Sequence, residues 1–498
     1  MRNRKLYLLA SVAVVGALAA TSASAWRSPT EHRYLTKSLQ VCDKGTFYVG
    51  GAPKISPFHL EATPGEPREI IIGHMYVQFQ VPMVSKSWPL IMVHGSGYTG
   101  SCVEGTAGGN EGWADYTTRH GIPTYVVDQS GRGRSGFDHT VYNEAEYLVD
   151  TNPAAAKAMI PQLGGHWGSR AWSDTTYPPL IGHWFGHILP AGIANITTGD
   201  MVRKGAPGDP LCATEPAHCN QLGRLPMEPE APWGVDQAIK SRTGKGAPAG
   251  LGTITPDNAQ VLENASYLAL EAYKFDVPNT EQTLPGSTCP SCNPTALNAT
   301  NTWTPKALAE LVVGLGGAVV ATHSQSGQIG MNMVRVLREQ GNLSYLKGLI
   351  QIEGGSDTVA SGTTVADFVN NKIPYLAFKG DYTVTAPAAT ALVAAIKAAG
   401  GTADYIELDQ PGPWQGSYAG AYGAGYTGPF AGVSHMMMIE DNPAPNGKAT
   451  NLQVMDVILD WADKNISKPK TQSCGQDNVP PGLSNKPGGL PPGQAKKI

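Results

Sequence analysis

Charge is scarce in this chain. Asp, Glu, Lys and Arg make up 15% of its 498 residues, and the formal net charge is −4. No block of like charges occurs, so the clustered basic face that grips nucleic acid is missing, and neither DNA nor RNA is an expected partner. Long apolar runs are also missing beyond the N-terminus. No later segment reaches the roughly 20 residues a membrane span needs, so stable membrane insertion is not expected. Sulfur is sparse, with seven cysteines. Cys289-Pro-Ser-Cys292 has redox spacing, but no strand precedes it and no helix opens on it, so a structural bridge is the better reading. Turn formers are plentiful instead: 59 Gly and 39 Pro stand beside 41% hydrophobic residues. That balance fits a large loop-rich enzyme with a sizeable core better than a helical bundle, and it excludes a wholly disordered chain and a collagen-like repeat.

The first 25 residues read as a secretory signal. Arg2, Arg4 and Lys5 precede an apolar stretch over 6–20, and Ala23-Ser24-Ala25 supplies the small residues a signal peptidase requires. A secreted or periplasmic location follows, where disulfides are permitted. Cys212 with Cys219, and Cys289 with Cys292, are near enough to close small loops, while an odd cysteine count leaves one thiol over or one intermolecular bond.

Strand and helix patterns then alternate. Residues 75–82 switch between polar and apolar faces as a strand does, and 89–93 is a short apolar run ending in His94-Gly95-Ser96-Gly97. Residues 124–127 repeat the arrangement and lead into Asp128-Gln129-Ser130-Gly131-Arg132-Gly133-Arg134-Ser135. The alternation stops over 137–303, which is rich in Trp, His, Pro and Gly and reads as an inserted cap. It resumes with a helix over 307–315, a strand over 318–321, a helix over 327–339, strands over 349–352 and 374–378, a helix over 387–399, a strand over 405–408 and a helix over 452–462. Functional-looking turns after strand C-termini predict a doubly wound, mostly parallel α/β sheet. The chain divides into a signal (1–25), an N-terminal extension with the first half of the core (26–136), the cap (137–303), the second half of the core (304–467) and a Pro/Gly-rich tail (468–498) expected to be disordered.

The chemistry concentrates at Thr322-His323-Ser324-Gln325-Ser326-Gly327, where a strand turns into a helix. A nucleophile elbow needs that context, because a strained turn lifts the serine hydroxyl above the sheet. Ser324 is the candidate nucleophile; Ser326 is its rival, with the bulky Gln328 two residues beyond. A serine needs a base to take its proton and an acid to orient that base. Of twelve histidines only His435 lies downstream of Ser324. Glu353 and Asp381, each after a strand, compete for the acid, with spacing slightly favouring Asp381 and Asp357 a weaker third. The oxyanion donors would be the amide of Gln325 and that of Ser96 or Gly97.

Taken together, Met75-Tyr76-Val77, the His94-Gly95 loop, the Asp128–Ser135 segment, His323-Ser324-Gln325-Ser326-Gly327, and Ser434-His435-Met436-Met437-Met438 resemble a small family of secreted bacterial esterases in the α/β-hydrolase superfamily. The likeness spans about 70–136 and 290–467. It implies a Ser324–Glu353–His435 triad, with Glu353 in place of the Asp381 that spacing favours. The position of the cap at 137–303 agrees with that family, the large cap favours an ester of small or medium size over a polymer, and the triad needs no cofactor. Ser96-Gly97 stands where relatives can carry cysteines. Trp167 and Trp184 of the cap and Tyr98 beside the His94-Gly95 loop are the aromatic candidates for a substrate pocket. His183 and His187 lack a completing carboxylate or cysteine nearby, so a metal is not expected. Amide, lactone and acyl-transfer chemistry would use the same residues. A polyester depolymerase, or a non-catalytic secreted binding protein on this scaffold, is the alternative, and a homodimer is left open.

Overall fold

A computed structural model describes residues 34–95, 98–106, 109–152, 154–155, 303–354, 358–380, 387–408, 430, 437–439 and 448–474. The strands are β1 (Val41–Ser56), β2 (Arg68–Pro82), β3 (Val84–Ser85), β4 (Leu90–Val93), β5 (Thr124–Asp128), β6 (Ala318–His323), β7 (Leu346–Ile352), β8 (Tyr375–Lys379), β9 (Ala403–Glu407) and β10 (Gln472–Ser473). Eight of them form one sheet in the order β1-β2-β5-β4-β6-β7-β8-β9. Only β2 runs against the others, pairing antiparallel with β1 and β5. From β5 across to β9 every ladder is parallel.

The short central strands are rich in apolar residues and buried almost throughout because both faces of the sheet are covered. Successive side chains point to opposite faces. Leu90, Met92, Val319, Ala321 and Ile350 therefore join one cluster, with α1 (Trp113–Arg119) and α2 (Thr450–Asn465). Ile91, Val93, Val320 and Leu349 join the other, with α3 (Trp303–Gly314), α4 (Ser326–Glu339) and α5 (Pro387–Ala398). Along α4 the expected stripe is present: Ile329, Met333 and Leu337 are buried, and Val336 sits at the cluster's margin. Helix α3 opens four residues before the expected 307, at Trp303.

Two differences from the sequence reading have physical causes. The long β1–β2 hairpin begins well before 75, and its outer strand was not anticipated. Gly50-Gly51 and Pro53 break the alternation of β1, which also shows a largely exposed, polar outer face. The tail is not wholly free of structure from 468. Residues 468–474 are ordered, because β10 pairs with β3 and Cys474 is joined to Cys42 by a disulfide. Composition registers neither an edge ladder nor a covalent tie. Cys102 is a buried free thiol, and the other four cysteines lie outside the described residues. Of the predicted cap, 137–152, 154–155 and Trp303 are described; a helix at Thr140–Thr151 opens it, with Asp138 paired to Lys54 of β1 at 2.6 Å. Among the described residues no helix is long and apolar enough to cross a membrane.

Candidate active site

The chain leaves β4 toward β5 on one side and leaves β6 toward β7 on the other. Such a reversal opens a crevice at the carboxyl ends of the strands, the usual place for a site in an open α/β sheet. Ser324 stands at that crevice, in the two-residue turn between β6 and α4. Its φ is +55°, a left-handed conformation that costs a non-glycine residue about 1–2 kcal/mol. Hydrogen bonds hold it there: the Ser324 amide donates to the Ile352 carbonyl at 2.9 Å, and the Ser324 carbonyl accepts from Gly327 at 2.9 Å.

Glycines let three backbones converge on this turn. A Cβ on Gly95, after β4, would lie 2.9 Å from Ser324 Cβ and 2.8 Å from His323 Nδ1. One on Gly354, after β7, would lie 2.9 Å from Gly327 Cα. Ser326 takes the place where a glycine would serve, and its hydroxyl explains how. Ser326 Oγ accepts from the His323 amide at 2.8 Å and donates toward the carbonyls of Val93 at 3.0 Å and His323 at 2.8 Å. Fully buried and so engaged, Ser326 is a rivet between β4 and β6; the partly exposed residue of the pair is Ser324.

Glu353 follows β7 and also has φ +55°. It is buried at 7% exposure, its amide donates to the Phe378 carbonyl at 2.8 Å, and its Oε1 accepts from the Gly380 amide. The carboxylate is thus oriented by the end of the neighbouring strand. Lys379 adds a bond from Nζ to the Gly354 carbonyl at 3.4 Å.

The loop after β4 rests on a buried polar frame. His94 Nδ1 donates to the Gly95 carbonyl at 2.8 Å, while Nε2 accepts from the Gln129 amide at 3.0 Å, which fixes a neutral tautomer. Gln129 Nε2 returns a bond to the His94 carbonyl at 2.6 Å. Complete burial pushes the His94 pKa down to about 4, the charges of Arg132 and Arg134 adding to this and Asp128 opposing it. Asp128 accepts from the Gly100 amide at 2.7 Å and from Arg134 Nε at 2.8 Å. Burial works to raise the Asp128 pKa, but the Arg134 hydrogen bonds together with the His94 and Arg134 charges hold it below the usual carboxylate value.

Of the residues singled out in the sequence, Ser324, Gln325 and Glu353 lie at the ends of adjacent strands, with Gln325 capping α4. Tyr98 is buried at 2% exposure in the cluster that holds α1 and α2. Ser96, Gly97, His435, Asp381, Asp357, Trp167, Trp184, His183 and His187 lie outside the described residues. The His94–Gln129 and Asp128–Arg134 pairs were visible as motifs, but nothing in their spacing announced their role as a frame. Among the described residues no group of three or more metal-ligating side chains occurs.

This is a doubly wound α/β protein with a positive-φ serine at its topological switch point. A solved structure titled as the atomic resolution structure of a novel bacterial esterase shares that fold, with a TM-score of 0.50, 24% sequence identity, and coverage of 87% of this chain and 99% of that one. A curated protein described as a probable secreted lipase, from a fungal species (strain ATCC 74256), is 39% identical over 105 residues. That match spans 21% of this chain and only 28% of the relative's length. No family model matches the chain.

Proposed function

We propose that the protein is an exported serine hydrolase that cleaves carboxylic esters through an acyl-enzyme on Ser324. Ser324 Oγ attacks the ester carbonyl as His435 takes its proton. The amides of Gln325 and Ser96 stabilise the oxyanion, and His435 returns the proton to the departing alcohol. Glu353 orients the imidazole, and water then releases the acid by the same route. The observation that carries this reading is the strained +55° φ of Ser324 between β6 and α4, with the buried Glu353 on the next strand. Strain of this kind persists only where surrounding structure enforces it, and it concentrates at reactive sites. The names of the lipase and the esterase agree with ester hydrolysis. The Cys42–Cys474 disulfide and the N-terminal signal pattern support export.

The test is the intact mass of the protein after treatment with a fluorophosphonate, alongside turnover of a nitrophenyl ester series. One adduct and turnover are expected in the wild type, with neither in Ser324→Ala. A folded wild type that neither labels nor turns over any ester refutes the proposal.

A further inference from the structure

The peptide group that follows Gly95 is held from behind. Gly95 packs so closely on the β6–α4 turn that a Cβ on it would lie 2.9 Å from Ser324 Cβ. Its carbonyl oxygen receives two donors, His94 Nδ1 at 2.8 Å and Arg132 Nη1 at 3.5 Å. A carbonyl and the N–H after it share one planar unit, so holding the Gly95 oxygen sets the direction of the next amide, that of Ser96. Donors on the oxygen also polarise the unit and strengthen that N–H as a donor in turn.

A turn does not require a buried cation. Arg132 is 1% exposed, and taking a cation out of water costs several kcal/mol. The turn itself uses only its backbone: the Arg132 amide donates to the Gln129 carbonyl at 3.0 Å, and the Arg132 carbonyl accepts from the Ser135 amide at 2.9 Å. Two residues on, Arg134 shows the more ordinary use of such a side chain, partly exposed and paired with Asp128 and Glu104 at 2.8 Å each. Arg132 reaches under the β4 loop instead. Complete burial, supported by the Arg132 charge, also keeps the His94 ring neutral, so that Nε2 goes on accepting from Gln129. We propose that Arg132 is a positioning residue for ester hydrolysis: its cation, held at the Gly95 carbonyl, aims and polarises the amide that stabilises the oxyanion. This inference rests on the Ser324 reading and on Ser96 as one of its two oxyanion donors.

The test compares wild type, Arg132→Met and Arg132→Lys in nitrophenyl ester turnover and in inhibition by a trifluoromethyl ketone. Ser324 Oγ adds to that ketone carbonyl as His435 takes the proton, which leaves an oxyanion; the parent methyl ketone binds without adding and serves as the control. Removing a whole oxyanion donor costs about 10²–10³ in kcat, so loosening one in Arg132→Met should cost about tenfold, with KM within about twofold. Trifluoromethyl ketone affinity should fall by about the same factor and the methyl ketone by less than about twofold, since only the former carries the oxyanion. Arg132→Lys keeps a cation and should lie between the two. A purely structural role would weaken both ketones alike or act through KM. The inference is overturned if folded Arg132→Met keeps kcat within twofold, or if its loss falls equally on both ketones. If Arg132→Met does not fold in circular dichroism, Arg132→Lys decides on the same two criteria, with an expected loss of about threefold. A wild type that labels with fluorophosphonate while Arg132→Met turns over as fast sinks this inference alone; a wild type that neither labels nor turns over sinks the Ser324 reading and this inference with it.

Discussion

Acid sensitivity should be written into the His94 frame. The imidazole is fully buried with one nitrogen donating and the other accepting, and its pKa is near 4, against about 6.5 for histidine in an unfolded chain. Above pH 6.5 both states leave it neutral, and its contribution is fully present. Below that the unfolded chain takes up a proton that the folded chain refuses, so stability falls as the pH drops from 6.5 toward 4. At 1.36 kcal/mol per unit, the 2.5-unit gap comes to about 3 kcal/mol over the whole interval, of which about 2 kcal/mol is lost by pH 5. His94→Asn keeps a donor and an acceptor but does not titrate. It should be less stable than wild type at pH 7.5, where the Gln129 bond is lost, yet its stability should fall by about 2 kcal/mol less between pH 7.5 and pH 5. Urea unfolding followed by far-ultraviolet circular dichroism at several pH values gives both curves; titrating groups other than His94 and its neighbour Asp128 contribute equally and cancel in the difference. Parallel profiles for the two proteins would refute the argument, because they would mean that His94 binds its proton equally well folded and unfolded.

Three further outcomes follow from single contacts. Gly95→Ala places a Cβ 2.9 Å from Ser324 Cβ and 3.1 Å from the His323 carbonyl, so ester turnover should fall at least about tenfold at a stability cost of about 1–3 kcal/mol; unchanged turnover would show that the loop moves freely. Tyr125 is wholly buried and its hydroxyl has no hydrogen-bond partner among the described residues, so Tyr125→Phe should leave the urea midpoint unchanged or raise stability by up to about 1 kcal/mol, and a clear loss would reveal a partner. Cys42→Ala with Cys474→Ala removes a link between residues 432 apart and should lower stability by about 2–5 kcal/mol in thermal unfolding; an unaltered transition would mean that the β3–β10 ladder alone holds the tail.

What could be read in advance, and what could not, divides along a physical line. The parallel strands were legible because burial on both faces demands short apolar runs, and 89–93, 124–127 and 318–321 are such runs. The turn at Ser324 was legible because an apolar run followed by an amphipathic helical pattern marks where a strand passes into a helix. The role of Ser326 was not: a serine in place of glycine looks like a defect in the pattern until its hydroxyl is found bonded to His323 and to Val93, which belongs to a strand more than two hundred residues earlier. The same holds for His94, whose ring is matched by a backbone amide from Gln129 after β5. Local sequence records what a segment needs from solvent and from its own neighbours; it does not record which distant amide will satisfy a buried side chain. At this site those distant amides matter most, since they hold the β4 loop against a turn that is itself strained. The position of Ser324 is therefore a property of one hexapeptide, while its stiffness is a property of three strands that the chain visits far apart.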